Sequence, residues 1–188
     1  MAQLTESEFE PEGAVDTITD FIQSKVDEAG AEGVVVGLSG GIDSSTSSAL
    51  AVEALGTENV SALVMPGETS DDENIRDAKE HAKAFGIEYE EVDISPIVDE
   101  YCDALPHAAE DEVAVGNVQA RARMVLEYME ANARDYMVLG TGNRTELLIG
   151  YYTKYGDGGV DILPIGGLYK MEVREVARYL GVDETIIE

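Results

Sequence analysis

The run Gly37-Leu38-Ser39-Gly40-Gly41-Ile42-Asp43-Ser44 has residue types and spacing that could handle phosphate. Three β-branched residues, Val34 to Val36, precede it and predict a buried strand. Thr46 to Leu55 follow it and predict a helix closed by Gly56. A strand, a tight glycine turn and a helix start together make an anion site. Glycines let backbone N–H groups come close, and the first turn of a helix has amides with no intrahelical partner. No Gly-Lys-Ser/Thr follows, so the turn is not a Walker A loop. Its donors are serine hydroxyls and amides, and its only charged residue is Asp43. A carboxylate repels a phosphate unless a cation lies between them, so the turn predicts a nucleotide phosphate with Mg²⁺. Taken alone, it fits equally well a helix capped by Asp43 or Ser44 in an α/β protein of other purpose.

A second charged and glycine-rich block runs from Gly140 to Ile165. It sets Arg144, Glu146, Lys154, Asp157 and Asp161 among glycines and three tyrosines, Tyr151, Tyr152 and Tyr155. A polar surface loop with helix caps is the plain alternative.

The elements that must position these blocks follow from periodicity. Val15, Ile18, Ile22 and Val26 repeat at helical spacing, so Pro11 to Ala29 predicts a helix ended by Gly30. Strands are predicted over Gly33 to Leu38, Asn59 to Met65, Ile87 to Ile94 and Tyr136 to Leu139. Between them fall helices over Asp71 to Phe85, from Ser95 to before Pro106, and Val113 to Arg134; Glu172 to Leu180 follows. Strands alternating with helices imply a parallel sheet with right-handed crossovers. Ligands of such sheets sit beyond the carboxyl ends of the strands. Both glycine-rich blocks begin at carboxyl ends, which puts them on one rim.

Composition narrows the class. At 188 residues, 44% of them hydrophobic, the chain can bury a core as one globular domain. No apolar run approaches the roughly 20 residues that span a bilayer. The opening residues 1–6 are acidic and lack the apolar centre of a signal peptide. A cytoplasmic setting is expected. The single cysteine, Cys102, predicts a small buried residue rather than a nucleophile. Thirty-nine acidic against 12 basic residues give a net charge of −27, which disfavours nucleic acid and membrane surfaces as partners. The acids are spread along the whole chain, and only five residues are lysine. That balance predicts a halophilic source.

With these blocks in view, the chain resembles the ammonia-dependent NAD synthetases of the N-type ATP pyrophosphatase superfamily. Three segments carry the likeness: Ser39 to Ser44, Asn117-Val118-Gln119-Ala120-Arg121-Ala122-Arg123-Met124, and Gly140 to Lys170. The resemblance implies an α/β fold, a Rossmann-like parallel sheet flanked by helices, of the adenine nucleotide alpha hydrolase type. It implies that ATP adenylates the nicotinate carboxylate of deamido-NAD with release of pyrophosphate, and that ammonia then displaces AMP to leave the amide. By position, Gly37, Leu38, Ser39, Gly40, Gly41, Ile42, Asp43 and Ser44, with Thr141 and Lys170, would bind ATP. Asp43 and Glu146 would hold Mg²⁺, and Arg121, Lys154 and Asp161 would bind deamido-NAD. A homodimer is implied, with the long helix at its interface.

Members of that family continue past the equivalent of Glu188. Residues 1–188 are therefore expected to form a single domain lacking the C-terminal part of the family domain. With 36 residues before Gly37, free ammonia is the expected amide donor. The alternatives are a catalytically weak ATP-binding or dimerising remnant, or another N-type ATP pyrophosphatase.

The charge balance yields a first prediction. A net charge of −27 repels itself in the compact state, and molar salt screens charges within about 3 Å. Thermal melts at fixed pH should rise steeply from dilute buffer to about 1 M KCl. A melting temperature that is flat or falls with salt would remove the halophile reading.

Overall fold

A computed structural model describes residues 9–188; the acidic opening at residues 1–6 lies outside them. In chain order the elements are α1 (Pro11–Ala29), β1 (Gly33–Gly37), α2 (Ile42–Leu55), a 3-10 turn (Thr57–Asn59), β2 (Val60–Val64), α3 (Asp72–Ala84), β3 (Glu88–Glu91), α4 (Ser95–Ala104), α5 (Glu112–Arg134), β4 (Tyr136–Val138), α6 (Arg144–Ile149), α7 (Lys170–Leu180) and α8 (Glu184–Ile187). The four strands form one parallel sheet in the order β3-β2-β1-β4.

β1 is central, and Val34, Val35 and Val36 are all fully buried. Strand side chains alternate between faces, so these three residues sort the helices into two layers. Val34 and Val36 join one core with Val15, Ile22, Leu50, Ala78 and Val173, from α1, α2, α3 and α7. Val35 joins the other with Ile94, Val98, Ala131 and Val138, which brings in α4 and α5. The chain winds β1 to β2 to β3 in one direction, then returns to place β4 on the far side of β1. Reversing the winding under a right-handed crossover rule moves the connecting helices to the opposite face. The reversal opens a crevice at the carboxyl ends of β1 and β4.

Several boundaries differ from the expectations. α2 starts at Ile42, inside the glycine turn, not at Thr46. Within its buried polar run, two hydroxyls are satisfied by earlier carbonyls of the same helix, Thr46 to Ile42 (2.7 Å) and Ser48 to Ser45 (3.0 Å). β3 is shorter than Ile87 to Ile94 because those two residues turn elsewhere. The Ile87 amide bonds the Ala82 carbonyl and the Ile94 amide the Pro66 carbonyl. α7 starts at Lys170 instead of Glu172, and α6, α8 and the 3-10 turn were not foreseen. Cys102 is half-buried beside the second core, not fully inside it.

α2 and α3 meet through a buried polar contact. The Ser48 hydroxyl lies 2.9 Å from His81 Nε2, and His81 stacks on Phe85 with centroids 4.5 Å apart. His81 Nδ1 and the hydroxyls of Ser45 and Ser47 are buried without hydrogen-bond partners. Burial pushes the His81 imidazole down to about 4. Its folded value lies below the ordinary one, so between pH 6.5 and 4 the unfolded chain binds more protons and stability falls as pH falls. Denaturant titrations of the unaltered chain and His81→Gln across this window should diverge, with the variant losing less by up to about 3 kcal/mol. Parallel losses in the two proteins would contradict a buried neutral histidine.

Candidate active site

The glycine turn is built by backbone contact. Leu38 continues the strand ladder by donating its amide to Leu63 (2.9 Å), and the chain then turns through Ser39, Gly40 and Gly41. Gly40 has φ +81°, and a Cβ there would collide with the Asn74 carbonyl at the start of α3. The hydroxyls tie the turn together. Ser44 Oγ accepts from the Ser39 amide (3.2 Å) and donates to the Gly41 carbonyl (2.9 Å), and Ser39 Oγ accepts from the Gly41 amide (3.3 Å). Gly41 caps α2 and brings no side-chain acceptor to the helix start. Ile42 and Ser44 are buried, whereas Asp43 is half-exposed beside the crevice.

Three of the expected residues come together around one that was not singled out. Asn143 donates from Nδ2 to Asp43 Oδ1 (3.1 Å) and caps α6 through the Glu146 amide (3.1 Å). Glu146 returns its carboxylate to the Asn143 amide (3.1 Å), completing a reciprocal cap. Lys170, at the first position of α7, forms an ion pair with the other oxygen of Asp43, and its amide donates to Thr145 Oγ1 (3.1 Å). Asp43, Glu146 and Lys170 thus converge from α2, α6 and α7. Burial, and beyond it the nearby Asp43 charge, raise the Glu146 carboxyl above its ordinary range. The sequence signal for Asn143 was the Asn-x-x-Glu spacing of a capping box.

Beside this cluster lies a cleft of about 480 Å³. Its walls include Gly37, Ser39, Met65, Ile75 and Thr141. Its floor carries Arg123 and Glu127 of α5, neither of them among the expected site residues. Arg123 turns inward and donates from Nε to the Met65 carbonyl (3.0 Å). Burial pushes the Glu127 carboxyl up to about 7, against the pull of the Arg123 charge. Their i, i+4 spacing on one helix face was the available signal.

The three expected dinucleotide-binding residues lie along α5 and the loop that crosses it. Arg121 donates from Nε and Nη2 to the Lys154 carbonyl (3.3 and 3.2 Å). The Lys154 ammonium sits 4.9 Å from the centre of the exposed Tyr155 ring. Asp161 is engaged internally: Oδ1 accepts from the Tyr128 hydroxyl (2.9 Å) and Oδ2 from the Val138 amide (2.8 Å). Burial and that carboxylate push the Tyr128 phenol up to about 12. In this structure Asp161 ties its loop to β4 and α5, while Lys154 is the freer of the two charges. Tyr151 and Tyr152 are exposed.

Fold and site together define a class: a parallel α/β protein with a glycine turn that opens a helix at its topological switch point. Residues 14–188 match the family model described as NAD synthase, and the chain belongs to that family. It is 55% identical over 172 residues to the NH(3)-dependent NAD(+) synthetase of Halobacterium salinarum, covering 92% of this chain and 64% of that one. The relative of the same description from Pyrobaculum aerophilum is 51% identical over 171 residues, 90% of this chain and 64% of that one. The NH3-dependent NAD synthetase from Campylobacter jejuni superposes with a TM-score of 0.90 at 38% identity, over 95% of this chain and 77% of that one. The chain spans a little under two thirds of the length of the first two relatives.

The turn geometry separates two adjacent glycines. Gly41 has negative φ (−87°), and a Cβ there would meet only Ser39 Oγ at 3.4 Å. Gly41→Ala should cost less than about 1 kcal/mol, whereas Gly40→Ala should cost about 2–4 kcal/mol from backbone strain and collision. Chemical denaturation of both variants measures this, and equal costs would contradict the packing of Gly40 against α3.

Proposed function

We propose that the chain catalyses, as part of its family's domain, the ATP-dependent amidation of deamido-NAD by ammonia. The observation that carries this reading is the convergence of Asp43, Asn143, Glu146 and Lys170 at the start of α2 in a member of the NAD synthase family. The glycine turn and the first amides of α2 would cradle the phosphates of ATP, with Thr141 on the wall and the Lys170 ammonium countering their charge. The nicotinate carboxylate attacks the α-phosphorus, the bond to pyrophosphate breaks, and an acyl adenylate forms. Ammonia then adds to the acyl carbon, AMP leaves, and a proton is released to complete the amide.

The donor set suits Mg²⁺. Asp43 and Glu146 flank Asn143, and both offer carboxylate oxygens, the ligands a hard cation takes. Among the described residues no group of three or more acidic, histidine or cysteine side chains forms a metal cage. A magnesium ion here would complete its shell with phosphate oxygens and water, as is usual for it at nucleotides. Bound there, it would neutralise the developing phosphate charge. Lys170 already shows that the Asp43 carboxylate attracts a cation.

Arg121 and Lys154 are proposed to receive the deamido-NAD, with Asp161 shaping the loop that presents Lys154. Val125 and Met129 are 54% and 70% exposed at i, i+4 spacing beyond Arg121 on α5. That apolar stripe supports pairing of two copies along this helix. No helix among the described residues is long and apolar enough to cross a membrane, and a cytoplasmic, salt-adapted enzyme is the corresponding proposal.

The test follows NAD and pyrophosphate from deamido-NAD, Mg-ATP and ammonium in molar KCl. Asp43→Asn should lower the rate about 10²–10³-fold with its melting temperature retained. Near-normal amidation by Asp43→Asn would sink the phosphate–cation assignment.

A further inference from the structure

The cleft floor holds charges that the phosphate cluster does not use. Arg123 and Glu127 lie one helical turn apart on α5, and both line the cleft. Among the described ion pairs, neither has a partner. Arg123 spends its Nε on the Met65 carbonyl (3.0 Å), which fixes its guanidinium at the end of β2. The Glu127 carboxyl lies against Gly37, where a Cβ would collide with it. The glycine therefore makes room for this carboxyl.

Glu127 is half-buried in the cleft wall, and a carboxylate partly withdrawn from water is unfavourable unless donors face it. Arg123 and the Gly37 amide both favour the ionised form, yet burial outweighs them and the group sits near pH 7. The carboxyl keeps a face toward the open cleft. The nearest donors a nucleotide could bring depend on where its parts lie. Gly37 is two residues upstream of Ser39, about 7 Å back along the strand from the phosphate turn. The ribose is the part of a nucleotide bonded directly to its phosphates, so with the phosphates on the turn its hydroxyls would reach the part of the cleft lined by Gly37 and Glu127. The base would continue toward the apolar wall at Met65 and Ile75.

We propose that Glu127 is a specificity-determining residue that accepts a hydrogen bond from a ribose hydroxyl of the bound ATP. The inference rests on the nucleotide reading of the cleft. It also orients the ligand: the carboxylate repels phosphate from the α5 side, while Lys170 and the start of α2 attract it at the other end.

Calorimetric titration of Mg-ATP, 2′-deoxy-ATP and 3′-deoxy-ATP tests it in molar KCl at pH 8. The unaltered protein should bind ATP at least about tenfold tighter than one of the deoxy analogues, the loss expected for a hydrogen bond to a charged group. Glu127→Leu, which fills the same space without the carboxyl, should bind all three within about twofold. Glu127→Gln keeps a neutral acceptor and should retain a reduced preference, which also serves if the leucine variant does not fold. Tripolyphosphate affinity should not weaken in either variant, since the phosphate cluster is intact. A ribose preference as large in the variants as in the unaltered protein, or absent from the unaltered protein, overturns the role of Glu127 while ATP binding stands. Failure of the unaltered protein to bind ATP at all overturns the nucleotide reading and this inference with it.

Discussion

The structure depends on one strand being buried on both faces. β1 has no solvent side, so each of Val34, Val35 and Val36 must be covered by a helix layer. That requirement recruits α1, α2, α3 and α7 to one face and α4 and α5 to the other. A chain that covers both faces of a parallel sheet must reverse its winding somewhere, and here it reverses beside β1. The crevice is thus a by-product of burying three valines, and the glycine turn lies where that crevice opens.

The charged groups of the crevice are held by local closures, not by a rigid shell of apolar contacts. Asn143 links two helices by capping α6 while bonding the Asp43 carboxylate that α2 presents. Lys170 joins them from the first turn of α7, and its own amide is fixed by Thr145. Each partner is half-buried, so the ion pair is neither fully screened nor fully desolvated. Both charges therefore keep some contact with water.

Sequence reasoning saw the layers clearly and the site partly. The segment Pro11–Ala29 was legible because Val15, Ile18, Ile22 and Val26 bury one continuous face. The start of α2 was not, because serines read as turn residues until their hydroxyls are known to bond back into the helix. α6 is six residues long, too short for periodicity to register, and only its cap marked it. Asp43, Glu146 and Lys170 were expected from resemblance, and each carries a charge whose partner could be named. Glu127 and Arg123 were missed because a helix exposes most of its charges, and spacing alone does not say which face meets a cleft. The engagement of Asp161 by Tyr128 and Val138 was invisible for the same reason: it needs the fold to bring three distant residues together.

The outer strand β3 carries Glu88, Glu90 and Glu91, all exposed, on the open rim of the sheet. A free strand rim is a template on which a second chain can build. Here carboxylates guard it, and helices from the two layers clip it in place, Lys79 to Glu91 (2.7 Å) and Arg134 to Glu88 (3.0 Å). Those clips hold the strand down but cancel part of the charge that fends off a neighbour. In strong brine the remaining repulsion reaches only about one atomic diameter. The same ions that quieten the chain's internal repulsion therefore shorten the reach of its outer defence. Screening that relieves the compact state thus also weakens the guard on this rim, so tolerance of salt and tolerance of crowding pull in opposite directions.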